Sequence, residues 1–564
     1  MSAVAPTRPR LPIVGWARSY ERPWLRTDLL AGFTLWGLLV PEMIAYAGLA
    51  GLPPQAGLYT LLASLVAYAV LGTSRQLVVA GTSASAVLVY AAVHELHPGD
   101  AGEAATLAAA VIVLTGLVFL VAGAAKLGFL ASFLSRPVMT GFVFGLALFV
   151  AVRQLPKVLG IEGGEGNSVE QLAHVLRHLG DLDPATLVVG LGALALLFVL
   201  GERAPRVPAG LVVLVAAIGT STLLDLEGRG VAVVGAIPGG LPSPSLPRAS
   251  LADLWILLPS AIGMMLVIYS EALGAAAAFA EAHGDRIDPD QELVALGVAN
   301  VGSGLLGGLA AGGSLSQSAV NDGAGARSQV STLFASGLAL ITIIALTGLF
   351  EQLPEAVLGA LILHAVAHLM KVGELRRIAR LSRAEFGLAA ATLVAVLVLD
   401  VLPALILGVV VSIVLVIGRA SRPAVSVLGV DPDHPAAYLD HRRHPTATPV
   451  PGLHLVRPDA PIFYANAQAI CDAITEATGA ADPPVATVVL DLDGSDALDI
   501  TSTEHLVTTA RALDRAGIAL ALANVHAPAR RTADALGLTD AVGADRIHPT
   551  VHDAVLAHRR TEAP

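Results

Sequence analysis

The sequence contains very little cysteine and few charged residues. Cys471 is the one cysteine among 564 residues, which excludes an internal disulfide and a metal site built from cysteines. Charged residues make up 14% of the chain and hydrophobic residues 55%. This balance excludes an ordinary soluble enzyme and predicts a polytopic membrane protein. The net charge of −11 says little about partners, because much of the acid lies in the C-terminal third and in two polar loops.

Other features are also missing. The first apolar run has the length of a full span and lacks a cleavage pattern, so we expect no cleavable signal peptide. Glycine-rich phosphate loops are absent from the C-terminal third, which argues against a nucleotide-driven pump. The apolar runs carry no cluster of histidine and cysteine, which argues against a membrane enzyme of the carbonic anhydrase type. We predict no cofactor, no metal and no nucleic-acid partner.

Long apolar runs dominate the rest of the chain, and fourteen of them qualify as membrane spans. The predicted spans lie at 29–48, 54–72, 77–94, 104–124, 129–151, 184–200 and 208–224, and at 252–280, 291–307, 312–326, 329–350, 354–371, 384–400 and 401–419. Two halves with an odd number of spans insert with opposite orientation, which predicts an inverted repeat. Lys and Arg concentrate in the loops expected inside a cell membrane, so the N-terminus and the C-terminal domain are predicted to be cytoplasmic.

This pattern divides the chain into six parts. They are a cytoplasmic N-terminal segment (1–28), a first transmembrane repeat (29–224), an extracellular loop (225–251), a second transmembrane repeat (252–419), a polar linker (420–451) and a soluble α/β domain (452–564). In the soluble domain the apolar pattern predicts strands at 453–457, 462–465, 487–491 and 519–524. Thr501 and Ser502 open a predicted helix there, and the favoured interpretation is an N-cap.

The stretch 307–322 reads GGLAAGGSLSQSAVND and is too rich in Gly and Ser for an ordinary spanning helix. Such backbone is tolerated at membrane depth only where protein surrounds it or where it lines a cavity. We predict a short extended piece over 309–312, followed by a helix that begins near Gly313 and Ser314. The N-terminal amides and positive dipole end of that helix are suited to hold an anion.

A second broken helix is predicted over 77–87, which reads LVVAGTSASAV and shares its pattern with the first. Paired interrupted segments in corresponding positions of two halves indicate a transporter's central site. The alternative is that Gly and Ser clusters only allow close helix packing. The predicted anion site comprises backbone amides and hydroxyls from both copies: Gly81, Thr82, Ser83, Ala84, Gly313, Ser314, Leu315, Ser316 and Gln317.

Two acidic residues lie within the apolar runs. A charge inside the membrane costs about 2.5 kcal/mol or more, so such residues have either a function or a partner. We hypothesise that Glu271 supplies negative charge balanced by a co-transported cation, and that Glu42 carries or gates a proton. Tyr46 is a candidate to stand over the cavity, and the alternative is an interfacial or packing tyrosine. The alternative for each glutamate is a hydrogen bond that serves helix packing alone.

The sequence resembles the sulfate permease (SulP) family of anion transporters over nearly its whole length. The matching motifs lie at 41–47, 52–59, 71–76, 133–138, 141–142, 280–284, 288–293, 299–300 and 318–321. The tail resembles the family's STAS domain at 460–467, 488–491 and 499–501. The resemblance implies fourteen helices in a seven-plus-seven inverted repeat with core and gate domains, as in the uracil permease fold. It also implies an anion held between the third and tenth helices, an elevator-like movement, and a homodimer with STAS contacts, embedded in membrane lipid.

The chain departs from the family pattern at two positions, and a possible phosphorylation site lies in its tail. Many members carry Gln where this chain has Glu42, and an acid there is familiar in bacterial members thought to be cation-coupled. Many members carry a basic residue where this chain has Gln317, so a smaller or singly charged anion such as bicarbonate is favoured over sulfate. Thr501 and Ser502 resemble the phosphorylated serine position of anti-sigma-factor antagonists.

The sequence therefore predicts a secondary active transporter for a small inorganic or organic anion, coupled to a cation, by preference the proton. Sodium-coupled bicarbonate uptake, an uncoupled channel or exchanger, and a sensor that signals through its STAS domain stay open as alternatives. A nucleobase permease of similar fold is disfavoured by the STAS tail and by the first-helix motif.

Overall fold

The computed structural model describes residues 12–96, 98–129, 136–164, 167–204, 209–235, 239–399, 401–479 and 485–562. The chain forms two compact units that divide between Ser412 and Ile413. Parts of the predicted N-terminal segment (1–28) and of the predicted 129–151 span lie outside the described residues, and so do residues 133–135 of the motif at 133–138. The first unit consists of helices with one short strand pair, and the second unit is built on a six-stranded sheet.

The first half of the helical unit alternates long apolar helices with short connections. Its elements are α1 (Pro12–Arg18), α2 (Trp24–Leu49), α3 (Pro54–Leu71), β1 (Val78–Gly81), α4 (Ser83–His94), α5 (Ala101–Ala124), α6 (Arg136–Leu159), α7 (Ser168–Arg177), α8 (Pro184–Arg203) and α9 (Ala209–Leu224). Helix starts follow local chemistry: Pro54 occupies the first turn of α3, and the Asp100 side chain accepts a hydrogen bond from Glu103 N at the start of α5.

The second half repeats the order of long helices around one strand. Its elements are α10 (Leu251–His283), α11 (Pro289–Leu305), β2 (Ala311–Ser314), α12 (Leu315–Gly323), α13 (Val330–Ile341), α14 (Glu355–Leu369), α15 (Val372–Leu381), α16 (Arg383–Leu399) and α17 (Val401–Ala420). Among the described residues, eight helices are long and apolar enough to cross a membrane. Where the structure describes them, the fourteen predicted apolar segments coincide with helices or strand-helix pairs, and the count of fourteen spans stays a prediction.

Small residues let the helices of this unit approach closely. A Cβ at Gly57 on α3 would lie 2.0 Å from the Met43 carbonyl oxygen of α2, so any side chain there would collide with backbone. Close packing through small residues is typical of membrane helices, which gain little from burying apolar surface against each other. The apolar core formed in this way surrounds the strand pair and places α2, α3 and α10 beside it.

The second unit is an α/β domain with helices on both faces of its sheet. The strand order is β4 (Tyr438–Asp440), β3 (Val425–Val430), β5 (Leu453–Pro458), β6 (Thr487–Asp491), β7 (Ala519–Ala523) and β8 (Ile547–His548), and β5 to β8 are parallel. The helices are α18 (Ala467–Gly479), α19 (Ile500–Arg515), α20 (Ala527–Ala535), α21 (Leu538–Val542) and α22 (Val551–Glu562). Val488 and Leu490 pack with α18 and α19 while Val489 packs with α22, as alternation along a strand requires.

The structure differs from the sequence predictions in three respects. The segment 420–451, predicted as a linker, contributes β3 and β4 to the sheet. The strand predicted at 462–465 is wrong: the amides of Ile462, Phe463 and Tyr464 donate to the side chains of Ser495, Asn466 and Asp499 instead of to a neighbouring strand. The predicted loops also contain α1, α7 and α15, three short helices that were not predicted.

Candidate functional site

The two predicted broken segments meet in an antiparallel strand pair. Val78 lies opposite Ser314 and Gly81 lies opposite Ala311, so β1 and β2 pair along their full length. Each strand runs directly into a helix, β1 into α4 and β2 into α12. Because the strands are antiparallel, the two helices leave the pair in opposite directions and both helix N-termini remain at the pair. The predicted strand-then-helix pattern is present in both halves.

Buried side chains satisfy the backbone of this irregular stretch. The Asn300 amide donates to the Ala311 carbonyl and accepts from the Ala311 N–H, at 2.8 and 2.9 Å. The hydroxyl of Thr60 accepts from Leu309 N at 2.6 Å, and that of Ser303 donates to Leu309 O at 2.5 Å. These bonds explain how non-helical backbone is accommodated inside a membrane protein, where an unpaired polar group is costly.

Hydroxyl side chains cap both half-helices. Thr82 and Ser85 form a reciprocal capping box at the start of α4, and Ser85 Oγ also donates to Ala310 O of the other half at 2.8 Å. Ser314 Oγ accepts from Gln317 N at 3.4 Å at the start of α12. Capping uses one acceptor of each hydroxyl, so the remaining N-terminal amides are the groups available to an anion.

The two halves of the predicted anion site differ in exposure. Ser83 and Ala84 are buried, whereas Leu315 is 47% exposed and Ser316 is also exposed. Ser314 and Ser316 hydroxyls lie 3.1 Å apart on this open side. The first turn of α12 therefore faces open space, while the corresponding turn of α4 is covered in this conformation.

Gln317 joins the two halves at the centre of the site. Its Nε2 donates to Glu42 Oε2 on α2 at 2.9 Å and to the Gly81 carbonyl oxygen at the end of β1 at 3.2 Å. Glu42 directly follows Pro41, a proline inside α2. Tyr46 lies one turn further along α2 and is buried. The structure thus brings Glu42, Gln317 and Gly81 together.

Glu271 is placed beside β2 by backbone packing. A Cβ at Gly313 would lie 2.8 Å from the Cα of Ala272, the next residue of α10. This approach sets Glu271 near the second strand, as predicted, although no hydrogen bond links it to Glu42. The two carboxylates therefore occupy separate positions at the site, and of the two only Glu42 is hydrogen-bonded into it by the residues that the structure describes.

Several buried polar residues that hold this region were not predicted from the sequence. Glu292 is fully buried and accepts from Tyr68 Oη at 2.8 Å and from Thr73 N and Oγ1 at 2.7 and 2.6 Å. Asp28 is also buried and accepts from Arg327 N and Ser328 Oγ, both at 2.7 Å. Both carboxylates fasten a long helix to a loop from the other half. The available signal was an acidic residue near the end of an apolar run.

In the second unit, the neighbouring residues Thr501 and Ser502 differ in their exposure. Asp499 is the N-cap of α19 and accepts from Ser502 N at 2.8 Å, so the helix begins at Ile500 and neither candidate is the cap. Ser502 is buried and donates to Asp499 O at 3.1 Å, whereas Thr501 is exposed. Of the two, Thr501 is the hydroxyl open to modification in this conformation.

Comparison with known proteins agrees with this architecture. The sequence pattern of the Sulfate permease family matches residues 25–392, and that of the STAS domain matches residues 444–554. A probable sulfate transporter of Mycobacterium tuberculosis is 38% identical over 560 residues, which cover 98% of this chain and all of that protein.

Two solved structures share the fold. The murine solute carrier 26 family member A9 anion transporter, in an inward-facing state, superposes with a TM-score of 0.89 at 24% identity, covering 98% of this chain and 94% of that one. The transmembrane domain of a cyanobacterial bicarbonate transporter superposes with a TM-score of 0.60 at 24% identity, covering 70% and 98%. The chain is a multi-pass membrane protein with a STAS domain, and it belongs to the sulfate permease family.

Proposed function

We propose that this protein is a secondary active transporter that moves a small inorganic or organic anion, such as sulfate or bicarbonate, across the cytoplasmic membrane. The observation that carries the proposal is the strand pair, which sets one helix N-terminus at each of its ends inside an apolar bundle. Relatives named as sulfate transporters support the substrate class. Their names describe transporters, which agrees with the absence of enzyme motifs from the sequence.

The anion is held by backbone amides and hydroxyls. The proposed ligands are the hydroxyls of Thr82, Ser83, Ser314 and Ser316, together with those amides of 81–84 and 313–316 that the capping box does not use. Each half-helix contributes the equivalent of about half a positive charge at its N-terminus, so the two together offset a single anion without a fixed cation. Access comes from the side of Ser316, which is exposed in this conformation.

The transport cycle is an elevator-type movement coupled to a cation, by preference the proton. The strand pair and the helices beside it move as one body that carries the anion, while the remaining spans form the gate. Glu42 carries the proton, and Glu271 provides charge for the cation. The protein functions as a homodimer with STAS contacts, and the STAS domain and the N-terminus lie in the cytoplasm.

Sodium-coupled bicarbonate uptake is the second candidate. Gln317 is neutral and donates both of its N–H groups to the protein, so it adds no charge for a divalent anion. That favours a singly charged substrate. An uncoupled anion channel or exchanger is the third candidate, and concentrative uptake distinguishes a coupled carrier from it.

The first experiment measures radiolabelled sulfate and bicarbonate uptake into proteoliposomes, with an imposed inward proton gradient and then with a sodium gradient. Proton-stimulated sulfate uptake supports the first candidate. Sodium-stimulated bicarbonate uptake without a sulfate signal moves the assignment to the second. Uptake that never exceeds equilibrium under either gradient contradicts coupling.

Glu271→Gln tests the role of the second carboxylate in the same assay. We expect this variant to lose stimulation by the cation gradient while it retains downhill uptake. Glu281→Gln is the matched control, because Glu281 lies on the same helix and is exposed. Unchanged dependence on the gradient in Glu271→Gln rules out the coupling role of Glu271.

A further inference from the structure

The amide orientation of Gln317 is determined by its neighbours. Its Nε2 faces two acceptors, Glu42 Oε2 at 2.9 Å and the Gly81 carbonyl oxygen at 3.2 Å. The reverse orientation would set the amide oxygen against both of these acceptors. Gln317 is 2% exposed, so water does not replace either bond.

With this orientation, Gln317 Oε1 is a buried acceptor that has no hydrogen-bond donor among the described residues. A buried polar atom left in this state costs free energy, so a missing donor is expected to come from a change of state at the site. The titratable group that is hydrogen-bonded to Gln317 is Glu42, which accepts when ionised and gains an O–H donor when protonated.

Among the described residues, the amide oxygens of Gln55 and Gln154 also have no donor. Gln329 shows that a buried glutamine in this bundle can have a hydroxyl donor beside its amide oxygen. It is 1% exposed, and its Nε2 donates to the carbonyl oxygens of Ser74 and Leu77, both at 2.9 Å. Its Oε1 lies 2.7 Å from Thr332 Oγ1, whose one proton it shares with the Gln329 carbonyl oxygen at 2.8 Å. Gln329 thus has a donor beside its amide oxygen without a titratable partner, whereas the titratable donor within reach of the Gln317 amide is a protonated Glu42.

We propose that Gln317 is the positioning residue through which the protonation of Glu42 acts on the anion site. When a proton from water binds the Glu42 carboxylate, the new O–H donates to Gln317 Oε1 and the acid oxygen still accepts from Gln317 Nε2. The acid and the amide then form a doubly hydrogen-bonded pair. This inference rests on the proposed anion transport and assigns a role to one residue of the same site.

The pair connects α2 to the first turn of α12, where Ser314 and Ser316 lie. A second hydrogen bond holds that turn more firmly against the end of β1, so the helix amides are kept in place for an anion. We therefore expect anion affinity to rise when Glu42 is protonated. The proton and the anion then load together, which is the behaviour of a symporter.

The other titratable groups around Glu42 are engaged elsewhere. Tyr46 on the same helix carries no charge until it loses its proton. Groups on the packed helices α3, α4, α12 and α14 have partners of their own: Tyr59 with Gly240, Tyr68 with Glu292, Tyr90 with Arg153, His94 with the Tyr90 carbonyl, Asp322 with His283, Glu355 with Lys157, and His364 against Phe198. The Glu42 and Gln317 pair is therefore the element we assign to the pH response.

The test measures the KM for anion uptake by the full-length protein across a range of external pH. We expect KM of the unaltered protein to fall by about tenfold toward acid pH, a change of about 1.4 kcal/mol. Glu42→Gln mimics the protonated pair, so its KM is expected to be low at every pH. Gln317→Leu is expected to lose the pH response of KM, and the exchange Glu42→Gln with Gln317→Glu is expected to restore it.

Gln329→Leu is the matched control, because it removes a buried glutamine that has no titratable partner. We expect it to lower protein stability and to keep the normal pH profile. If Gln317→Leu retains the pH profile of the unaltered protein and only lowers the rate, the proposal is wrong.

A second readout does not depend on transport. Infrared difference spectra on acidification report the C=O band of protonated Glu42, identified by its loss in Glu42→Gln. We expect Gln317→Leu to shift this band and Gln329→Leu to leave it in place. An unshifted band in Gln317→Leu overturns the pair. If the unaltered protein takes up no anion, the proposed function fails while the infrared comparison still decides the pair.

Discussion

At the scale of single residues, the site depends on positions where no larger or differently charged side chain fits. Gly313 is the clearest case, because the backbone of α10 approaches it so closely. Gln317 and Glu42 are the second case, since their contact joins residues that are 275 positions apart in the chain. His454 lies in the second unit, apart from this site, and its ring is partly buried on β5.

Substitution of Gly313 tests the close approach of β2 to α10. A Cβ at Gly313 meets the Ala272 backbone at 2.8 Å, and backbone does not yield as a side chain end does. We expect Gly313→Ala to reduce anion uptake by about tenfold and to destabilise the protein by about 1–3 kcal/mol, as overpacking does. Gly274→Ala on α10 is the control, because a Cβ at Gly274 would meet nothing within 4 Å. Equal effects of the two variants would contradict this account.

His454 gives a prediction about pH. Burial lowers its pKa below the usual value of about 6.5, so the unfolded chain binds a proton more readily than the folded one. Above about pH 6.5 His454 is neutral in both states and its pKa difference does not lower the free energy of unfolding. As the pH drops below about 6.5, the unfolded chain takes up the proton first and the free energy of unfolding falls. We expect His454→Gln to flatten this loss, as measured by hydrogen exchange of the β5 and β6 peptides in the full-length protein. His444→Gln, at an exposed position, should leave the loss unchanged.

At the scale of elements, the strand pair is held by side chains from helices on either side. Asn300 on α11 forms two hydrogen bonds with Ala311, and Ser318 on α12 accepts from Val78 N at 2.8 Å. Side chains therefore form hydrogen bonds with the backbone of both strands of the pair. Its position depends on these side-chain hydrogen bonds as much as on its four residue pairs.

Removal of the Asn300 clamp tests this dependence. Asn300→Leu leaves the buried N–H and C=O of Ala311 without partners, and each such loss costs about 1–3 kcal/mol. We expect a reduced unfolding temperature in detergent and weaker anion uptake. Gln352→Leu removes an exposed hydrogen bond to Glu227 and should change neither quantity. A stable and active Asn300→Leu protein would show that the clamp is dispensable.

At the scale of the whole molecule, the sequence indicated the two broken segments because Gly and Ser are conspicuous at membrane depth. It could not indicate that Gln317 contacts Glu42 or that Thr73 contacts Glu292, because such pairs are set by tertiary packing and not by local spacing. The helix α15 was not predicted, because it is short and its basic residues are typical of a cytoplasmic loop. The false strand at 462–465 was apolar and short, which periodicity alone does not resolve.

The extent of the soluble unit gives a prediction at this scale. A fragment that starts at residue 452 lacks β3 and exposes the edge of β5, including Leu455 and Val456, which pair with β3. Exposed strand edges promote aggregation. We expect fragment 452–562 to aggregate and fragment 421–562 to be soluble and cooperatively folded, as judged by size-exclusion chromatography and thermal unfolding. Equal behaviour of the two fragments would show that β3 and β4 are not needed.

The strand pair also imposes a delay between the synthesis of its first strand and the formation of the pair. Val78 pairs with Ser314, which is 236 residues later in the chain (314 − 78). At roughly 5–20 residues per second, the ribosome needs about ten to fifty seconds to supply the second strand after the first. During this interval β1 sits in or near the bilayer with its edge unpaired, which hydrocarbon does not tolerate. The nascent first half must therefore be sheltered, by its own helices or by the insertion machinery, until the second half arrives.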